Sequence, residues 1–66
     1  MKIDKALKIA LIKRNLQQKD IADSLIISPA FVSNLANGHS ASARMIERIA
    51  KALDYKVSEF IALGED

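Results

Sequence analysis

Sixty-six residues, half of them hydrophobic and with only two glycines and one proline, make one small domain over 1–66, helical rather than a small β-barrel. The absence of cysteine excludes disulfides and thiolate metal sites and fits a cytoplasmic protein. Charge is unevenly spread: residues 1–53 hold nine Lys/Arg against four acids and residues 54–66 one against four, a basic body suited to a polyanion, or simply solvated, before an acidic tail.

The N-terminus is charged and shows no targeting segment, and Ile9–Ile12 is far shorter than the roughly 20 residues of a membrane span, so no membrane partner is expected. Ile3, Leu7, Ala10, Leu11 and Arg14 share one helical face and predict a first helix over about 3–14. Asn15 tolerates the left-handed conformation that ends helices, after which Leu16 is expected to return to the core. Ile9 and Ile12 lie on the opposite side. A second helix, about 18–25, starts after Gln17 with Asp20 in its first turn and Ile21, Ala22 and Leu25 as its inner stripe. A third, about 29–36, has the clearest start: Ser28 can cap and Pro29 occupies the first position, where a missing N–H is harmless. Val32, Leu35 and Ala36 point inward, and Asn37-Gly38 is the stop. A fourth helix follows Ser40-Ala41-Ser42, with Met45, Ile46, Ile49, Ala50 and Leu53 inward and Asp54 as a left-handed terminator. A short fifth, about 57–63, carries Val57, Phe60 and Ile61 and ends at Gly64.

Two short helices joined by the three-residue turn Ile26-Ile27-Ser28 have helix-turn-helix spacing, about 18–37, with Ala22 small where they cross and Ile27, Val32 and Leu35 filling the angle. Spacing alone leaves an unrelated helical corner open. The stretches Leu16-Gln17-Gln18-Lys19-Asp20-Ile21-Ala22, Ile27-Ser28, Val32-Ser33-Asn34-Leu35-Ala36-Asn37-Gly38 and Ile49-Ala50-Lys51-Ala52-Leu53 resemble the Cro/C1-type (XRE family, lambda-repressor-like) helix-turn-helix domain, and the resemblance extends more loosely over nearly the whole chain.

That resemblance implies an all-α, compact five-helix lambda-repressor-like domain. It also implies a sequence-specific transcription regulator that binds a duplex DNA operator as a homodimer, with the third helix in the major groove. Gln18 would meet a phosphate or base edge. Ala30, Ser33, Asn34 and Asn37 form the outward face, flanked by Pro29 and Phe31. Asn34 is the main base reader, since its amide can pair bidentately with adenine, and Ala30 could touch a thymine methyl. Ser28, Ser33, Asn37 and the backbone N–H groups after Gly38 suit phosphates, although Ser28 is equally a cap and Asn37 equally a stop. Lys19 and Arg44 would add counterion-release affinity. His39 is a solvent-facing loop residue or a phosphate contact. Phe60, Ile61 and Leu63 are the expected dimer seam, with core filling as the competing role of Phe60. With no effector domain, repression by occluding polymerase is favoured over activation.

Three features depart from the family pattern. Ile26 stands where glycine is usual, so either the turn has another geometry or it is strained. Leu11 and Ala36 jointly replace an internal Arg–Glu pair, an exchange that is benign in a core. The third helix is poor in long polar side chains, which leaves specificity to methyl contacts and DNA shape. It also leaves room for a rival role as a protein-interaction module using Ile9, Ile12 and Phe31. A further alternative is an antitoxin-type regulator that holds a small toxin, which the stretch from Ser42 to Ala50 resembles. With one histidine, no phosphate loop and no nucleophile elbow, neither catalysis, a cofactor nor a metal is expected.

Overall fold

The computed structural model describes residues 1–65; Asp66, the last residue of the acidic tail and of the expected domain, lies outside them. Five helices follow one another: α1 Asp4–Arg14, α2 Gln18–Leu25, α3 Pro29–Ala36, α4 Ala43–Ala52 and α5 Val57–Leu63. Short-range chemistry sets the starts of α2 to α5 and the ends of α1 and α4. The Gln17 N–H donates to Asp20 Oδ2 at 2.8 Å before α2, and the Lys56 N–H donates to Glu59 Oε1 at 3.1 Å before α5. Ser28 Oγ accepts from the Phe31 N–H at 3.1 Å, and Ser42 Oγ accepts from the Met45 N–H at 3.2 Å, so both serines are true N-caps. Asn15 and Asp54 adopt left-handed conformations, at φ 57° and 62°, and end α1 and the α4 segment.

One core joins all five helices. Leu7, Ile21, Val32, Leu35, Ile49, Leu53 and Phe60 are its largest fully enclosed side chains. α1 packs on α3 and α5, and α2 packs on α3 and α4. Leu11 and Ala36, the positions that replace an ion pair, are both buried on packed helices and leave no charge to satisfy.

Two inward assignments are corrected. Leu16 is 37% exposed and does not return to the core; its backbone closes α1, the N–H reaching the Leu11 carbonyl at 2.9 Å. Arg14 is not a core-stripe residue. Its Nε donates to the Leu53 carbonyl at 2.8 Å and its Nη2 to the Asp54 carbonyl at 3.0 Å, while the guanidinium lies 4.1 Å from the Tyr55 ring centroid. A cation is thereby placed at the negative end of α4. Arg48 does the same for α2, donating from Nη2 to the Leu25 carbonyl at 2.9 Å.

The turn between α2 and α3 is strained. Ile26 sits at φ 56°, ψ 49° and is 91% exposed, so a β-branched residue occupies the left-handed region without any packing in return. Ile26→Gly is therefore expected to raise stability by about 0.5–1 kcal/mol, the relieved strain being partly offset by the freedom glycine adds to the unfolded chain. Thermal melts should show a gain of a few degrees in a domain of this size. An unchanged or lower midpoint would show that the turn does not rest in this conformation.

Candidate nucleic-acid interface

The helix-turn-helix is built as its spacing requires. Ala22 is buried on α2, Val32, Leu35 and Ala36 are buried on α3, and half-buried Ile27 packs against the same core from the turn. With its inner face fixed, α3 must turn its remaining residues outward. Pro29, Ala30, Asn34 and Asn37 are exposed, Phe31 is 37% exposed, and Ser33 is half-buried beside them. Ala30, Asn34 and Asn37 follow the i, i+4, i+7 spacing of one helical line. Gln18 opens α2 half-buried, Lys19 next to it is exposed, and Arg44 is exposed in the first turn of α4.

Ser28 caps α3. Its oxygen accepts the capping bond, and a hydroxyl that accepts still has a proton to donate outward. Asn37 is exposed at φ −95°; the left-handed step that turns the chain belongs to Gly38, at φ 102°. Several backbone N–H groups at the end of α3 and in the loop after it donate within the protomer. Gly38 donates to the Leu35 carbonyl at 3.2 Å, His39 to the Asn34 carbonyl at 3.1 Å, and Ala41 to the Met1 carbonyl at 2.8 Å. On this loop Asn37, His39 and Ser40 are exposed.

The N-terminal segment had no sequence signal. The Met1 amino group donates to the Ala41 carbonyl at 3.1 Å, the Ala41 N–H answers to Met1, and Lys2 and Ser40 form an isolated antiparallel bridge. Backbone pairing across forty residues leaves no trace in side-chain identity.

At the expected seam, Phe60 is corrected: it is 0% exposed and wholly enclosed in the protomer, so its side chain has no surface to offer a second copy. Ile61 and Leu63 are half-buried and Val57 is 36% exposed. An apolar groove of about 350 Å³ runs between α4 and α5, lined by Met1, Ala41, Ala43, Ile46, Glu47, Val57 and Ile61. Elsewhere Ile12 stands 78% exposed on α1 and Ile9 is half-buried. Among the described residues no cluster of His, Cys, Asp or Glu could hold a metal, and no helix is long and apolar enough to cross a membrane.

A sequence model of a family described as helix-turn-helix matches residues 7–60. Neither curated proteins nor solved structures gave a match.

Proposed function

Because the chain belongs to the Cro/C1-type (XRE) helix-turn-helix family, whose domains are DNA-binding transcription regulators, we propose that it is a sequence-specific repressor that binds an inverted-repeat operator as a homodimer. The observation that carries this reading is the division of α3. Its apolar residues are locked in the core while Ala30, Asn34 and Asn37 make one exposed line of small and amide side chains, a surface that can enter a major groove.

In this reading Asn34 contacts a base, Ala30 lies against a methyl, and Pro29 and Phe31 flank them. Gln18, Lys19, Ser28, Ser33, Asn37, His39 and Arg44 hold phosphates and fix register. Few long polar side chains reach base edges, so DNA shape supplies part of the specificity. The two copies meet along α5 and the α4–α5 groove, through Ile61, Leu63 and Val57. The protein acts in the cytoplasm by occluding polymerase, without a cofactor.

Selection from a randomised duplex pool at moderate salt is expected to enrich an inverted repeat, whose half-site spacing reports the dimer geometry directly. No enrichment, and no retention even at low salt, would overturn the reading. On the enriched site, Lys19→Ala should weaken all sequences alike and lower the slope of log affinity against log salt by about one. A changed base preference would contradict the phosphate role. A second reading, a protein-interaction module or antitoxin-type regulator, draws on the exposure of Ile12 and of Phe31. Ile12→Lys would then disrupt assembly with a partner such as a small toxin while leaving DNA binding intact.

A further inference from the structure

Residues 1–3 run antiparallel to residues 39–41, joined by the two Met1–Ala41 bonds of 3.1 and 2.8 Å and the Lys2–Ser40 bridge. Ile3 and Ala41 are both buried, so each partner of this small pairing is anchored in the core at one residue. A two-stranded pair of this size has little stability of its own, and the core anchors are what make it persist. The loop it holds is the one that leaves α3. That loop carries Asn37 and His39 and delivers the chain to Ser42, the cap that starts α4 and thereby aims Arg44. Its tip, His39 and Ser40, is otherwise exposed.

We propose that residues 1–3 are a positioning element for DNA contact, which orders the loop after the recognition helix before DNA arrives. The inference rests on the DNA-binding reading above. A loop already held in its bound shape has no ordering cost to meet on association, and affinity rises by that amount. The role lies in the backbone of the segment, not in the charge of Lys2, because both Met1–Ala41 bonds and the bridge are main-chain contacts.

The test compares three chains on the enriched duplex: wild type, Lys2→Gln, and a chain beginning at Ile3 released from a cleavable fusion. Circular dichroism establishes that each is folded at the temperature used. The shortened chain is expected to bind about tenfold more weakly, the cost of re-ordering roughly one backbone residue, and to lose hydrogen-exchange protection at the Ala41 amide. Lys2→Gln keeps that protection and stays within about threefold of wild type. The gap between the two variants should persist as salt is raised, since lost order is not screened. Equal affinity of the shortened chain and wild type would overturn the proposal. So would Lys2→Gln binding as weakly as the shortened chain, or an Ala41 amide that exchanges freely in wild type. Failure of wild type to bind any duplex would overturn the DNA-binding reading itself, and this inference with it, a result distinct from the other three.

Discussion

Phe60→Ala is expected to leave the domain largely unfolded at room temperature. Phe60 is fully enclosed and is the buried residue of α5, which at seven residues cannot hold its own helical structure. Truncating an enclosed phenylalanine costs about 3–5 kcal/mol. A single core in a chain this small supplies about the same amount in total. Chemical denaturation followed by circular dichroism should show the midpoint collapsing toward zero denaturant. The same substitution separates the two roles open to this residue from sequence. A variant that melts like wild type but no longer self-associates would return Phe60 to the seam; one that loses its fold confirms it as the core residue that anchors α5.

Asn34→Ala is expected to cost about 1–3 kcal/mol on the preferred operator and to relax choice at one base pair. The side chain is exposed at the middle of the outward line of α3, and its removal leaves no buried group unpaired. Alanine also favours a helix interior more than asparagine, so the variant should melt no lower than wild type. Binding and folding are therefore read separately. Affinity for unrelated duplex should remain as it was, because that component comes from phosphate contacts. Equal weakening on every sequence would contradict the base-reading role and reassign Asn34 to the backbone.

Helix limits were legible because they are local. Ser28 and Ser42 cap within three residues of themselves, and Asn15 and Asp54 terminate through their own backbone. The outward face of α3 was legible from the spacing of Val32, Leu35 and Ala36, which leaves Ala30, Asn34 and Asn37 no other place to point. What escaped is non-local. Arg14 reads as one more residue of an α1 stripe until α4 is folded with its terminal carbonyls within reach. Arg48 on Leu25, and Met1 on Ala41, have the same character. Phe60 was ambiguous for another reason: an apolar ring gains the same burial from a core as from a partner, so composition alone does not choose. At Ile26 the residue type narrowed the choice to a different turn or a strained one, and the backbone adopts the strained one.

That left-handed isoleucine also bears on how the regulator can change. If α3 reads the operator as proposed, new preferences would arise by replacing its outward residues, and most substitutions in a folded domain give up some stability. A small domain close to its folding threshold tolerates few of them at once. Relief at Ile26 is available without touching the core or the outward face of α3, since the side chain projects into solvent. The turn thus holds a reserve of evolvability: a lineage that relaxed it could accept more disruptive changes on α3 and still fold.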